Sequence, residues 1–547
     1  MLPLRFHVYK DGLAWLLTYS SWLTNIDIRV SNVDTNIKRS KIINKSERVA
    51  QLGNYIEENL RALKSAGLEF VDPRNLGTRL KSKQNHVVFG RRGAGKTTLL
   101  SPLKKMPNCV AIYLNIEDYK NITFPNIIVS ILTASFRDLR QVVKECHPWY
   151  KMNFEAIRVC NSLRNEERAL ENILGEPDQE EQQIRSKISS AEDASASLGY
   201  REIHIGGSIK KGSEVEVGRV VPRDKLNDLR LKVSAYKDLF DCVSIICNKP
   251  IYLIFDDFYT VPKSIQPDLL DYFHLLTKDT NLFLKVATIK HSSRLFLRAS
   301  GRPIGAQVGH DIHEIDIDYT LDNFRDLQSF MRQLLEAAIK GSRISLEIDS
   351  LFSGDGFKQL CLASGGVPRD FLSLFVRLAN RIDFSRGRTI GKVQVTEEAI
   401  ANFVNKLDSL KVDSADEERV LELYLNSIKA EVYQKKRTNT FLVAKDELEL
   451  HPQARQAVRA LVDLRLIHQI EKSTSSAPSN GQMYEAYILD IGLYDNARPR
   501  SFDQIEPGMT DSKSRKDKLR AAPKLSLSRL EAIVESGDVK GKLTITE

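Results

Sequence analysis

Short, unbroken apolar runs recur along the chain, separated by stretches whose apolar residues fall every third or fourth position. Residues 86–89, 110–116, 251–255 and 282–288 are runs of the first kind. They are rich in Val, Ile, Leu and Phe and end in polar residues or glycine, which predicts strands buried on both faces. Residues 46–66, with Ser46 as a cap and Val49, Leu52, Ile56 and Leu60 on one side, predict an amphipathic helix, as do residues 127–143. Strands alternating with helices give an α/β fold with a mainly parallel sheet, whose ligand sites lie at the carboxyl ends of the strands.

Further along, helical periodicity runs from 322 to about 407 and predicts a small helical lid. Then come a helix at 415–430, a strand at 440–443 and a helix at 452–466. Two strands at 467–472 and 483–490 flank a Ser/Pro/Asn/Gly loop. Helix, strand, helix and a two-stranded wing describe a winged helix. Arg455 and Arg459, four apart on its second helix, are the candidates to enter a groove of double-stranded DNA or grip its phosphates. The same module also serves to bind proteins.

The region 150–235 interrupts the alternation. Charged helices at 163–174 and 179–190, broken at Gly175 and Pro177, lead to a hairpin at 200–217. The hairpin carries Lys210 and Lys211 at its tip, and an insertion of this kind is expected to protrude and bind DNA, with Arg219, or a partner protein. Residues 1–45 suggest a strand-rich extension. Beyond Arg498 the chain reads as a loop-like basic arm, with Lys513, Arg515, Lys516, Lys518, Arg520, Lys524 and Arg529. The expected division is 1–69 extension, 70–320 core, 321–410 lid, 411–496 winged helix and 497–547 tail.

Composition narrows the class. A length of 547 residues implies about three or four domains. With 42% hydrophobic and 28% charged residues, wholesale disorder is excluded. No run reaches the ~20 apolar residues of a membrane span. The uncharged stretch 12–26 is broken by Thr, Ser and Asn and lacks a cleavage pattern after it, so it reads as a buried strand or helix. Six cysteines without C-x-x-C spacing argue against zinc and disulfides and fit a reducing cytoplasm. The excess of 80 Lys+Arg over 71 Asp+Glu permits nucleic-acid binding without demonstrating it.

The chemistry concentrates at the strand ends. Gly90-Arg91-Arg92-Gly93-Ala94-Gly95-Lys96-Thr97-Thr98 follows the first strand and matches the phosphate-binding pattern G-x-x-x-x-G-K-S/T. Its glycines let backbone N–H groups converge on phosphate oxygens, Lys96 is placed for the β/γ phosphates, and the Thr97 hydroxyl for Mg2+. The strand 251–255 ends in Asp256 and Asp257. The first carboxylate suits Mg2+ through water, and the second suits a general base that polarises attacking water. The strand 282–288 ends at Thr288, the first choice for a γ-phosphate sensor, with Lys290 second. Ser364-Gly-Gly-Val-Pro-Arg369-Asp-Phe opens a helix from which Arg369 could report on the γ-phosphate. No nuclease or protease constellation is evident.

The order GRRGAGKTT, YLIFDD, LKVATIK and GGVPRDF resembles AAA+ ATPases of the origin-recognition-complex type, and their prokaryotic relatives in mobile-element and defence loci. The likeness spans roughly residues 70–490 and implies ATP rather than GTP, Mg2+, slow hydrolysis and a homo-oligomer. Three departures stand out: Asp257 in place of the usual Glu, Thr288 in place of the usual Asn, and no single arginine finger among Arg294, Arg298 and Arg302. The resemblance implies an Mg-ATP switch that couples nucleotide state to DNA binding and assembly. The rival expectation is a signalling or scaffold ATPase whose winged helix and insertion bind a protein effector.

Overall fold

The strands are β1 (His86–Phe89), β2 (Val110–Asn115), β3 (Ile251–Asp256), β4 (Leu282–Thr288), β5 (Phe296–Ala299), β6 (Arg302–Gly305) and β7 (His313–Asp316). Five of them form one sheet in the order β2-β3-β4-β1-β7, and β5 pairs with β6 in a separate hairpin. Every pairing in the large sheet is parallel. The coordinates are a computed structural model that describes residues 45–60, 71–146, 153–175, 224–299, 302–407, 415–494, 499, 501–507 and 512–536. The expected extension at 1–45, hairpin at 200–217 and helix at 179–190 lie outside, or almost wholly outside, the described residues.

The pleat sends alternate residues to opposite faces. Val87, Phe89, Ile112, Leu253, Phe255, Leu284 and Val286 join one buried cluster, and Val88, Ile254, Ala287 and Ile315 join the other. The first face is covered by the helices at Asn126–Cys146, Phe154–Gly175, Val233–Cys247 and Gln266–Thr277. The helix at Phe154–Gly175 begins earlier than expected and does not protrude. It buries Ala156, Val159, Leu163, Leu170 and Ile173 in the core. Its buried Glu167 accepts from Arg137 and Arg140, both 2.9 Å away on the preceding helix. An internal ion pair of this kind offsets the cost of burying the carboxylate. A buried lysine inside β4, Lys285, donates to Ser82 O and Gln84 O, each at 2.8 Å, which satisfies it at the amino end of the sheet.

The register sets the working edge. Phe89 pairs with Thr288 on one side and Asp316 on the other, while Asn115 pairs with Asp256. The five carboxyl ends therefore lie in one row, below the glycine turn that leaves β1.

The second large cluster is continuous from the lid to the carboxyl end of the described chain. It holds α1 (Lys45–Asn59), α2 (Phe324–Gly341), α3 (Gly356–Ala363), α4 (Pro368–Arg381), α5 (Lys392–Leu407) and α6 (Ala415–Ile428). β8 (Thr440–Ala444), α7 (Pro452–Asp463), β9 (Ile467–Ser475) and β10 (Met483–Leu489) complete it. β8, β10 and β9 form an antiparallel sheet in that order. The helix α1 inserts Val49, Leu52 and Ile56 among the lid residues rather than against the sheet.

The tail departs most from expectation. α8 (Ser512–Arg520) and α9 (Leu527–Ser536) are helices, and Leu519, Leu525, Leu527 and Leu530 are buried. Between them Leu442 N–H donates to Pro523 O and Leu525 N–H to Leu442 O, both 2.8 Å, so the segment runs along β8. Widely spaced leucines among many basic residues hid this packing. None of the described helices is long and apolar enough to cross a membrane.

Gly366 joins the lid to the core with φ +83, and a Cβ there would meet Tyr319 O at 2.0 Å. Gly366→Ala is expected to cost on the order of 2–3 kcal/mol, through left-handed strain and overpacking against fixed backbone. Chemical denaturation should show the loss; an unchanged midpoint would contradict this packing.

Candidate functional site

The glycine turn is held from three sides. Gly90 N–H donates to Thr288 O on β4 at 3.2 Å. Arg91 N–H donates to both carboxylate oxygens of Asp318, at 3.0 and 3.1 Å, and the Arg91 guanidinium turns inward to Tyr319 O at 3.0 Å. Arg369 N–H, in the first turn of α4, donates to Gly93 O at 3.3 Å. Gly93 and Gly95 take φ +87 and +101, and a Cβ on Gly93 would lie 2.9 Å from Arg369 Cβ. These two positions therefore require glycine. Arg92 is exposed, Ala94 buried, and Thr97 and Thr98 half-buried on the short helix Lys96–Leu100.

Lys96 is buried, and its Nζ folds back to Gly90 O at 2.8 Å and Arg91 O at 3.3 Å. Burial holds its pKa below the ordinary lysine value, opposed by Asp257, Asp318 and Asp256. The ammonium thus caps its own loop, ready to exchange carbonyl partners for anionic oxygens.

Asp256 ends β3 fully buried. Its Oδ1 accepts Asp257 N–H at 3.0 Å, and its Oδ2 accepts the Tyr113 hydroxyl. The Tyr113 phenol is pushed above its ordinary pKa by burial and then by Asp256, with the nearby Thr97 hydroxyl opposing. Thr97 and Asp256, the two residues expected to share a cation, therefore both lie near one phenol. A hydroxyl and a buried carboxylate fit Mg2+, which takes few protein ligands and completes its shell with phosphate and water. Among the described residues no group of three or more His, Cys, Asp or Glu is placed to hold a metal. Tyr113 is a site residue that sequence reasoning missed; its alternation in β2 pointed it towards the strand end with no motif to mark it.

Asp257 is half-buried in a left-handed conformation, φ +52, that Asp tolerates better than most residues. Burial and the neighbouring Asp256 raise its carboxyl pKa, with Lys96 opposing. A raised carboxyl suits proton acceptance near neutral pH. The Thr288 hydroxyl is buried and bonded to Ser293 rather than directed outward. Lys290 is exposed and pairs with Glu314 on β7 at 2.6 Å. Its ammonium also lies over the Phe89 ring, 5.5 Å from the centroid, beside the start of the glycine turn. Thr288 thus meets the loop through its backbone carbonyl, and Lys290 is engaged by Glu314.

Arg369 is exposed on the turn-facing end of α4. Arg294, Arg298 and Arg302 are exposed, and among the described residues none of the three forms an ion pair. Asp318 is the second site residue the sequence reading passed over. It follows the alternating Ile315 and Ile317 at the end of β7, a strand-end carboxylate in the same row as Asp256.

On α7, Arg455 is exposed, but Arg459 is bound to Glu485 at 2.7 Å and to the Tyr487 hydroxyl at 2.9 Å, both on β10. This corrects the expectation that both face a groove: the four-residue spacing is right, but β10 packs under the second position. The same helix ends in Asp463, whose Oδ2 accepts His291 N–H at 3.1 Å and the Ser292 hydroxyl at 3.3 Å, in the loop after β4.

Comparison with known proteins gives one family and several structures. The model of the ORC-CDC6-like family matches residues 150–355. That stretch contains the acidic end of β3 and the whole of β4 and β7, and stops short of the glycine turn and of α4. The structure of Drosophila ORC bound to DNA is similar at 12% identity, covering 81% of this chain and 90% of that chain, with a TM-score of 0.31. A Walker-type ATPase of Pyrococcus abyssi shares 12% identity over 79% and 98%, TM-score 0.37. Aeropyrum pernix ORC1 in complex with DNA shares 13% over 81% and 93%, TM-score 0.27. No curated protein sequence matches the chain.

The Asp463 contact carries a pH signature. Burial, then the nearby Asp318, pushes its carboxyl up to about 7, against donors from Ser292 and His291 and the charge of Arg91. An unfolded Asp loses its proton near 4. Between pH ~4 and ~7 the folded form holds the extra proton, so this residue's contribution to stability falls as pH rises through that window. Asp463→Asn should remove the dependence, so that the variant gains on the wild type in melting temperature from pH 5 to pH 8. An unchanged difference across that range would show that Asp463 titrates normally.

Over residues 150–355, which carry β3, β4 and β7 of the parallel sheet, the chain is similar to the ORC-CDC6-like family.

Proposed function

We propose that the protein is a P-loop ATPase switch of the AAA+ origin-recognition kind, which binds Mg-ATP at the glycine turn and couples its nucleotide state to a C-terminal winged-helix unit. The observation that carries this reading is convergence. Lys96, Thr97, Asp256, Asp257 and the first turn of α4 meet at the carboxyl edge of one parallel sheet. Lys96 neutralises the β/γ phosphates. Thr97 and Asp256 would hold Mg2+, which when bound neutralises charge on the phosphates. Asp257 accepts the proton of the attacking water, and its raised pKa supports that role. Arg369 reaches over the turn to the γ-phosphate, so ATP and ADP leave the lid differently held. One of Arg294, Arg298 and Arg302 would serve a neighbouring copy's site in a homo-oligomer.

The α6, β8, α7 and β9–β10 elements support the winged-helix reading, with Arg455 as its free basic side chain towards DNA phosphate. One observation favours the rival, a protein effector on the same unit. Arg459 is neutralised by Glu485, and the start of α7 is covered by Glu531 of α9, which accepts Ala454 N–H at 3.1 Å. A role in a mobile-element or anti-phage system belongs to either reading.

Lys96→Ala should lower ATP affinity or turnover by on the order of a hundredfold, because the phosphate charge loses its cation. An unchanged ATPase rate would remove the site assignment. Arg455→Glu should weaken DNA binding across sequences and flatten its salt dependence by about one unit of slope, without loss of stability. Arg459→Glu should instead lower the melting temperature, since it sets two carboxylates together. If Arg455→Glu leaves DNA affinity unchanged, the effector reading takes its place.

A further inference from the structure

A single turn of the C-terminal unit grips both arms of the nucleotide site. Asp463 ends α7 and holds the loop after β4 through His291 N–H and the Ser292 hydroxyl, next to Ser293, which bonds Thr288. Two residues later Arg465 Nη1 donates to both oxygens of Asp370, at 2.7 and 2.6 Å, and Asp370 directly follows Arg369 in α4. The pair is nearly withdrawn from water, with side chains 11% and 14% exposed. Buried charge pairs of this geometry are costly to break from one side.

The backbone shows that this turn is built around Arg465. α7 closes with Leu466 N–H donating to Leu461 O and Arg465 N–H to Val462 O, both 3.0 Å, which puts residue 465 in the left-handed position at φ +66. Glycine or asparagine relaxes there, whereas arginine is strained. The strained choice is the one that reaches Asp370. A third contact lies beside it. His468 packs against Gly365, where a Cβ would meet the ring at 2.2 Å, and bonds Asp490 Oδ2 at 2.9 Å. Asp490 is held in turn by Lys406 of α5 at 2.6 Å.

We infer that the Asp463–Arg465 turn is a positioning element for the nucleotide site, with Arg465 holding Arg369 over the glycine turn and Asp463 holding the loop behind Thr288. The C-terminal unit is then part of the γ-phosphate sensor, and whatever displaces that unit also changes how ATP is told from ADP. This inference rests on the ATP-switch reading above. Neither residue touches nucleotide; both act through Asp370 and the 291–293 loop.

The test is a titration of the full-length protein with ATPγS and with ADP, each with Mg2+, alongside melting curves. The wild type should prefer ATPγS. Arg465→Asp, tolerated at a left-handed position, should cut that preference about tenfold, the scale of one charge-assisted hydrogen bond, while ADP affinity stays unchanged. The swap Asp370→Arg with Arg465→Asp rebuilds the pair and should restore the preference. If Arg465→Asp does not fold, Asp370→Asn with Arg465→Gln removes both charges without stranding either and should lower the preference in the same direction. A preference that survives these changes, or two affinities that fall together in step with melting temperature, would overturn the inference. A wild type that does not distinguish the two nucleotides fails earlier, at the ATP-switch reading itself.

Discussion

The glycine turn after β1 has almost no room, and much of the structure follows from that. A Cβ on Gly90 would lie 2.6 Å from Ile317, and one on Gly93 would meet Arg369 of the lid. The turn is clamped between the end of β7 and the first turn of α4 by contacts that exist only because side chains are absent. Asp318 fixes one shoulder through Arg91, and Arg369 N–H fixes the crest. The first turn of α4 is therefore seated directly on the glycine turn.

Several polar groups around this turn are satisfied by one another, although Arg91 Nε is buried without a hydrogen bond. Lys96 bonds the loop carbonyls, Asp256 accepts from Tyr113, and Thr288 bonds Ser293. Unpaired, such groups would be expensive in a site this buried. In the proposed switch, a triphosphate and its cation would offer Lys96, Thr97 and Asp256 charge-assisted partners in place of these internal ones. The lid and the C-terminal unit share one continuous core, and the Asp370–Arg465 pair ties α4 to the turn before β9.

Much of this was legible in the sequence where short-range pattern determines structure. The strands were readable because parallel strands buried on both faces are unbroken apolar runs, and the turn because glycine spacing there answers to backbone geometry. The partners were not readable. Asp318, Tyr113, Asp463 and Arg465 reach the site from distant positions, and no local signal ties Arg465 to Asp370 across the sequence between them. Arg459 shows the same limit: helical spacing says which residues share a face, not that Glu485 lies beneath one of them. The tail misled for another reason. Its leucines are few and its charges many, so residues 512–536 lack the apolar density of a helix, yet Leu519, Leu527 and Leu530 find a place on a surface already formed by β8 and α6.

The central claim is that nucleotide at the glycine turn changes what the C-terminal unit can bind. The most direct measurement is a double-stranded DNA titration of the purified protein with ATP, with ADP and without nucleotide, at two salt concentrations. The account predicts salt-dependent binding that is tighter than the roughly micromolar non-specific range and that differs between ATP and ADP. Binding that is indifferent to nucleotide, or no stronger than non-specific, would contradict it.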